Sequence, residues 1–287
     1  NTYNMSVDSL SVKLEKAEKK GQLPKIVIPV HFAGQPCEMS AIHELSKKYN
    51  FKIIEDASHA IGASYNQIKV GSCTYSDITV FSFHPVKIVT TGEGGMALTN
   101  NTKLADKMFR LRAHGITNDK TLMYERPKDE IWNYQQIELG FNYRMNDIQA
   151  ALGLSQIKRL DDYVKIRHKL AKVYDRELRS LLIKTPLQST GVYSSYHLYP
   201  IRIKENTKGT IQQKIYETLR KDGIAVNLHY IPVHRQPYYE NLGFKKNDFP
   251  ESEQFHREAI SLPMFPTLSN QQQDIVIQSL VTEIKKI

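Results

Sequence analysis

A lysine beside a short apolar run is the residue of this sequence best suited to take part in a chemical reaction. Lys87 ends the run Ser82–Lys87 (SFHPVK), and a glycine-rich run, Thr91–Gly95, follows it closely. A lysine amine forms a Schiff base with a carbonyl when it is partly removed from water and its pKa falls. Most loop lysines are solvated surface groups, but the apolar segment before this one and the glycine-rich turn after it favour a reactive amine.

An aspartate at the end of a predicted strand is the second candidate. Asp56 closes the run Phe51–Asp56, upstream of Lys87, and Ser82 closes a later apolar run. A carboxylate at such a position can pair with a protonated pyridine nitrogen, which turns the ring into an electron sink. The same residue type in the same place can equally cap a helix N-terminus. Taken together with Lys87 and Ser82, the pattern favours a cofactor site over a helix cap.

Alternating apolar runs and amphipathic stretches in the first half supply the elements that would position these residues. Predicted strands span 25–30, 51–56, 77–83 and 95–99, and predicted helices span 39–49 and 104–112. This alternation predicts an α/β domain built on a largely parallel sheet. Such sheets bind ligands at the carboxyl ends of their strands, where Asp56 and Ser82 fall.

The second half of the chain has a different pattern. Helical spacing extends over 146–182 and is broken at Pro186. Predicted strands at 196–203 and 225–233, a predicted helix over 211–221 and a final helix from Asn270 follow. This order predicts a second, smaller domain of α+β type. We therefore divide the chain into a large ligand-binding domain, 1–165, and a small C-terminal domain, 166–287, which includes the connecting helix.

Four short motifs occur in order along the chain: Glu55–Ala60 (EDASHA), Ser82–Lys87 (SFHPVK), Thr91–Gly95 (TGEGG) and Gly140–Met145 (GFNYRM). In this order they resemble the hallmarks of the DegT/DnrJ/EryC1/StrS sugar aminotransferase family, and the likeness covers essentially the whole chain. The resemblance implies pyridoxal-phosphate-dependent fold type I, the aspartate aminotransferase-like fold. It has a large domain with a mostly parallel sheet and a smaller α+β C-terminal domain.

The resemblance also implies a role for each residue that matches a motif. Lys87 would carry pyridoxal 5'-phosphate (PLP) and shuttle the proton, while Asp56 would face the pyridine nitrogen. His59 would lie against the cofactor ring, and Ser82 would bind the phosphate. Asn142 would reach the phosphate of the neighbouring subunit's cofactor, which makes a homodimer with a shared active site part of the expected mechanism.

Within this family, the likeness is closest to members that act in pseudaminic acid biosynthesis. It is carried by the His84–Lys87 turn and by the run 229–239. It implies transfer of an amino group from L-glutamate to C4 of a UDP-linked 4-keto-6-deoxy-N-acetylamino sugar. His229, Tyr230 and His234 are candidates to line the sugar site, or they are partly buried polar residues of the small domain.

Composition limits the other partners. A net charge of +9 and a pI of about 9.3 suit a nucleotide-diphosphate substrate or a solvated basic surface. The charges are scattered and form no arginine-rich arm, so no nucleic acid partner is expected. Cys37 and Cys73 have no metal spacing and fit a reducing compartment. With no membrane-spanning run and no signal peptide, the sequence predicts a cytoplasmic protein without a metal.

The beginning of the chain departs from the family pattern. Asn1–Asn4 does not resemble a translation start. The family's phosphate-binding turn at a helix N-terminus, and the aromatic residue that stacks on the ring, have no match here. We therefore expect a large domain whose N-terminal part is missing, with weak activity or none.

Three alternative functions are open to the sequence. A sugar dehydratase of the same fold would carry histidine in place of Lys87, so the lysine argues against it. A dinucleotide-binding oxidoreductase would need the Gly-x-Gly-x-x-Gly fingerprint before a helix, which Gly92–Gly95 does not provide. A non-catalytic binding module of the same fold is disfavoured by the intact Lys87, Asp56 and Ser82.

Overall fold

The computed structural model describes residues 2–125, 130–204 and 210–286. Its helices are α1 (Val7–Lys19), α2 (Met39–Tyr49), α3 (Thr102–Leu111), α4 (Asp147–Ile157), α5 (Leu160–Leu178), α6 (Thr210–Lys221), α7 (Pro237–Asn241), α8 (Pro250–Glu258) and α9 (Asn270–Ile284). Its strands are β1 (Ile26–Val27), β2 (Lys52–Asp56), β3 (Ser64–Tyr65), β4 (Ile68–Lys69), β5 (Ile78–Ser82), β6 (Gly95–Leu98), β7 (Ile116–Thr117), β8 (Gln135–Gln136), β9 (Ile183–Lys184), β10 (Val192–Tyr193), β11 (Tyr199–Ile203) and β12 (Ala259–Leu262).

The sheet that carries the predicted site has the order β1-β2-β5-β6. Strands β1, β2 and β5 run parallel, and β6 is antiparallel to β5. The predicted α/β architecture with a largely parallel sheet is thus confirmed. The parallel strands β2 and β5 end side by side, with Asp56 paired to Val80 in the register.

The first predicted strand, 25–30, is shorter in the structure than in the prediction. Only Ile26–Val27 pairs regularly with β2, and Val30 adds an isolated bridge to Asp56. Pro29 lies between them and has no backbone N–H to donate to a ladder. Its carbonyl instead accepts the Asp56 N–H at 2.9 Å, which holds the end of β2.

Helix α2 covers one face of this sheet. It spans Met39–Tyr49 as predicted, and its buried residues pack against Val27 of β1 and Ile53 of β2. The helix ends at Asn50, whose φ of 55° is the left-handed conformation that asparagine tolerates at a helix C-terminus. This packing fixes the sheet from which Asp56 projects.

The long helix predicted over 146–182 is two helices. Helix α4 begins with a capping box between Asn146 and Gln149, and a tight turn at Lys158–Arg159 separates it from α5. Helical spacing continues through this turn because the Arg159 N–H still bonds to the Gln156 carbonyl at 3.0 Å. The pattern of apolar residues therefore cannot reveal the break.

The small sheet has the order β12-β11-β9 and is antiparallel. The predicted strand at 196–203 is present as β11, and the predicted helix at 211–221 is present as α6. The predicted strand at 225–233 is wrong. Only Asn227 pairs there, through an isolated bridge to Ser261, and Pro232 leads into a single turn of 3-10 helix at Val233–Arg235.

Helix α5 contacts separate cores at its two ends. One cluster of buried residues extends from Leu170 to Ile284 and includes β11, β12, α6 and α9. Two others lie between Leu14 and Val89 around the parallel sheet, and Leu160 of α5 packs against one of them. The predicted division at 165/166 falls inside α5 and remains a prediction. Within the described ranges, none of the helices combines the length and apolar character that a membrane crossing requires.

Candidate active site

Asp56 and Ser82 lie at the carboxyl ends of the adjacent parallel strands β2 and β5. Asp56 Oδ1 accepts the Ser58 N–H at 3.1 Å, and residues 57–63 form turns and no helix. The helix-cap alternative for Asp56 is therefore excluded. Among the described residues Asp56 Oδ2 accepts no hydrogen bond, so this oxygen can take a proton donor from a ligand.

A buried polar cluster supports the strand that ends at Asp56. Glu55 Oε2 is 2.7 Å from His31 Nε2, and Glu55 Oε1 accepts hydrogen bonds from the hydroxyls of Thr79 (3.0 Å) and Ser76. The His31 backbone N–H donates to the Asp56 carbonyl at 3.0 Å. The buried His31–Glu55 pair and this backbone bond together fix the backbone at Asp56.

Lys87 lies in a closed loop that follows β5. Its backbone N–H donates to the His84 carbonyl at 2.9 Å, and the loop is closed by the bond from the Phe83 N–H to the Gly94 carbonyl at 2.8 Å. The side chain is half-buried, and burial lowers the pKa of its amine, while the nearby Asp56 carboxylate raises it. Partial desolvation favours the neutral, nucleophilic form of the amine.

His59 is 8% exposed and lies near Lys87. Burial, assisted by the Lys87 charge and opposed by Asp56, lowers the pKa of His59 to about 3. Its Nδ1 accepts the Ala33 backbone N–H at 3.3 Å, so the ring proton resides on Nε2. Nε2 lies 3.3 Å from the Tyr230 hydroxyl. His59 is thus a neutral ring with a defined N–H donor.

The structure brings two of the three candidate sugar-site residues to this group. Burial and the Lys87 charge lower the pKa of His229, whose Nδ1 is 2.8 Å from Ser261 Oγ. Burial and the Asp56 carboxylate raise the pKa of Tyr230, which is half-exposed. From the small domain, His229 therefore lies near Lys87, and Tyr230 lies near Asp56 and His59.

His234 lies in a different environment. Its Nε2 is 3.0 Å from Glu253 Oε1, both side chains are buried, and its ring packs on Phe249 at a centroid distance of 4.8 Å. Within the described ranges it makes no contact with Lys87, His59 or Tyr230. Of the two alternatives that the sequence left open for His234, its position is that of a buried polar residue of the small domain.

Ser82 and Asn142 are both accessible to a ligand or partner. Ser82 is half-buried, and its Oγ accepts the His84 N–H at 3.4 Å, which leaves the hydroxyl proton free to donate. Asn142 is exposed and bridges to Ala113, outside the group around Lys87. Its exposure is compatible with a contact to another subunit.

His197 is a member of the group that the sequence did not reveal. It is 7% exposed, and its ring centroid lies 4.5 Å from that of His59 at an interplanar angle of 42°. Burial, with contributions from His59 and Lys87, lowers its pKa well below the usual value. A histidine just before a buried strand is an ordinary core position, and no spacing links it to Lys87.

Comparison with known proteins identifies the family of the chain. The profile of the DegT/DnrJ/EryC1/StrS aminotransferase family matches residues 1–281. An uncharacterised protein of Methanocaldococcus jannaschii is 39% identical over 288 residues, which cover 100% of this chain and 71% of the relative. The UDP-4-amino-4,6-dideoxy-N-acetyl-beta-L-altrosamine transaminase of Campylobacter jejuni serotype O:2 is 35% identical over 90% of this chain and 65% of the relative.

Solved structures show the same relationship. Helicobacter pylori PseC, an aminotransferase involved in the biosynthesis of pseudoaminic acid, has a TM-score of 0.87 and 30% identity, over 99% of this chain and 71% of that chain. Streptococcus pneumoniae Spr1654, solved in a PLP form, has a TM-score of 0.84 and 28% identity, over 100% and 73% of the two chains.

The fold is therefore the aspartate aminotransferase-like fold type I. The chain belongs to the DegT/DnrJ/EryC1/StrS aminotransferase family.

Proposed function

We propose that this protein is a PLP-dependent transaminase that moves an amino group from L-glutamate to C4 of a UDP-linked 4-keto-6-deoxy-N-acetylamino sugar. The observation that carries the proposal is the convergence of the half-buried Lys87 with Asp56 and His59 beyond the ends of β2 and β5. The likeness to the Campylobacter transaminase and to PseC supports this substrate class.

The residues present fit PLP by their chemistry. An aldehyde needs a primary amine of lowered pKa, which Lys87 offers, and a pyridinium needs a carboxylate, for which Asp56 Oδ2 is free among the described residues. A phosphate needs hydroxyl donors, and Ser82 has one to give. When bound, PLP supplies an electron-withdrawing ring that stabilises charge at the carbon beside the transferred amino group.

Lys87 is the proposed base and acid of the reaction. Its Nζ would hold the cofactor and, once free, would accept the proton released from the substrate carbon that bears the transferred amino group and return it to the carbon on the cofactor side of that nitrogen. Burial lowers the pKa of this amine and Asp56 raises it. This balance moves the amine toward the range in which it can both accept and return a proton.

His59 and Asp56 are proposed to orient and polarise the ring. Asp56 would hold the proton on the ring nitrogen, and the backbone bonds at the end of β2 keep its carboxylate in place. The His59 Nε2–H would donate to a polar atom of the ring, while the bond from the Ala33 N–H to Nδ1 prevents the other tautomer.

His229 and Tyr230 are the proposed sugar-side residues. Both come from the small domain; His229 lies near Lys87, and Tyr230 lies near Asp56 and His59. The Tyr230 hydroxyl is half-exposed, so it can exchange its bond to His59 for a bond to a sugar oxygen. His234, paired with Glu253, is proposed to hold the segment that carries His229 and Tyr230 in place and not to contact the sugar.

A homodimer is proposed to complete the site, with Asn142 directed at the phosphate of the partner's cofactor. Asn142 lies within a stretch that exposes large apolar side chains, namely Ile131, Trp132, Leu139, Phe141, Tyr143 and Ile148. Single exposed apolar residues are common, but such a concentration on one stretch marks an interaction surface. A second copy of the chain is the partner that the proposed role of Asn142 requires.

The proposal is tested by visible absorption. The purified full-length protein is mixed with PLP, and spectra are recorded before and after L-glutamate. We expect an absorption band of the lysine-bound cofactor that collapses on adding glutamate and returns on adding the UDP-4-keto sugar. Lys87→Ala should form no band, while the control Lys47→Ala, an exposed lysine paired with Glu44, should behave as the wild type.

Three results would contradict parts of the proposal. If the wild-type protein forms no band, the cofactor assignment fails. If the band forms and ignores glutamate, the cofactor assignment stands and the transamination does not. A dTDP- or GDP-linked keto sugar that restores the band as fast as the UDP-linked sugar would overturn the nucleotide assignment.

A further inference from the structure

One short segment of the small domain docks directly on the turn that holds His59. The Ser195 N–H donates to the Gly34 carbonyl at 3.0 Å, and the Ser195 hydroxyl donates to the His59 carbonyl at 2.7 Å. The Leu198 N–H donates to the Ala33 carbonyl at 3.3 Å. Gly34 permits this approach, since a Cβ there would collide with Ser195 Oγ. The segment 194–198 is thereby fixed against the large domain.

A buried arginine fixes the same segment from its other side. Arg167 Nη1 on helix α5 donates to the carbonyls of Tyr196 (3.0 Å), His197 (3.2 Å) and Met264 (2.6 Å). Arg167 is 5% exposed. The backbone of His197 is therefore held between two sets of hydrogen bonds, and its side chain has a defined direction.

The side chain held in this way is the one that packs on His59. The two rings lie 4.5 Å apart, while Phe32 and Tyr230 lie at 6.0 and 6.3 Å from His59. His197 is thus the nearest aromatic ring to His59 among the described residues. His197 Nδ1 is buried without a hydrogen-bond partner in the described ranges, so the contact between the two residues is a ring contact and not a hydrogen bond.

We propose that His197 is a positioning residue that, through ring packing, fixes the ring plane and the Nε2–H tautomer of His59, and with them the hydrogen bond that His59 offers to the cofactor. The cofactor part of this inference rests on the proposed function. The backbone bond from Ala33 to Nδ1 selects the tautomer, and a ring that could rotate would lose this bond. His197 blocks the rotation because the segment 194–198 cannot retreat.

The test separates ring packing from a mere need for a folded core. His197→Ala removes the packing ring, His197→Phe keeps a ring of similar size, and His43→Ala removes a half-buried histidine at a distance, one that packs on Tyr75. Nitrogen NMR of the histidine rings in the cofactor-free protein reports the tautomer of His59, with His59→Gln to assign its signals. PLP binding is measured as an apparent dissociation constant.

We expect wild type, His197→Phe and His43→Ala to show a bare Nδ1 and a protonated Nε2 at His59. His197→Ala should show averaged tautomers and an apparent PLP dissociation constant about tenfold higher, as for the loss of one hydrogen bond. Unchanged His59 signals in His197→Ala, or signals averaged equally in His197→Phe, would overturn the proposal. If the wild-type protein binds no PLP, the proposed function fails, while the tautomer comparison still decides whether His197 positions His59.

Discussion

Acid should destabilise the fold through His59, and His59→Gln should remove that part of the pH dependence. Burial lowers the pKa of His59 to about 3 in the folded protein, whereas a histidine in the unfolded chain has a pKa of about 6.5. Between these values the unfolded chain binds a proton that the folded protein does not. The free energy of unfolding therefore falls as the pH decreases through this window.

The size of the effect follows from the two pKa values. Below pH 6 the slope approaches about 1.4 kcal/mol per pH unit for one histidine. Between pH 7.5 and pH 4.5 the loss attributable to His59 is about 2.5 kcal/mol. Glutamine carries no proton in this range, so His59→Gln lacks this loss.

The assay is urea unfolding of the cofactor-free protein, followed by far-UV circular dichroism at several pH values from 7.5 to 4.5. Replacing the imidazole also removes its packing, which lowers the stability of His59→Gln equally at every pH. The difference between wild type and variant should therefore change by about 2 to 3 kcal/mol over this range, in favour of the variant at low pH. A difference that is constant within about 0.5 kcal/mol would refute the argument from burial.

Two further substitutions test the supports of the site. Arg167→Met leaves three carbonyls without their donor and should cost about 3 kcal/mol in a urea titration, whereas Arg176→Met, at an exposed pair, should cost less than about 0.5 kcal/mol. Equal costs would contradict the role of Arg167. Ile148→Glu tests the proposed homodimer, because it places a charge on a side chain that is 84% exposed in the single chain. We expect light scattering to give the molar mass of a dimer for the wild type and of a monomer for the variant. An unchanged mass would place the interface elsewhere.

The elements around the proposed cofactor site were predictable because their signals are local. Helix α2 has a full apolar face and a clear end at Asn50, and strands β2 and β5 are apolar runs that end at a polar residue. The family resemblance carried by four motifs is confirmed by the match over residues 1–281. In these segments the sequence pattern and the packing agree.

The predictions from sequence fail where tertiary contacts determine the local structure or the position of a side chain. The apolar run 225–233 predicts a strand, but only Asn227 pairs with the edge strand β12, and Pro232 cannot donate to a ladder. The sequence does not reveal His197 because its role depends on a docked segment that no spacing encodes. Proximity in sequence groups His234 with His229 and Tyr230, yet it pairs with Glu253.

The site is divided into a local half and a remote half. Asp56, His59, Ser82 and Lys87 belong to one continuous stretch, whereas the bonds that bring Ser195 and Tyr230 to His59 span 136 and 171 residues. Contacts close in sequence form faster than contacts that must first close a long loop. We therefore expect the residues of the proposed cofactor site to assemble early in folding and the residues of the proposed sugar side to reach their places late. A ligand that binds the stretch from Asp56 to Lys87 would then stabilise a partly folded chain in which the small domain has not yet docked.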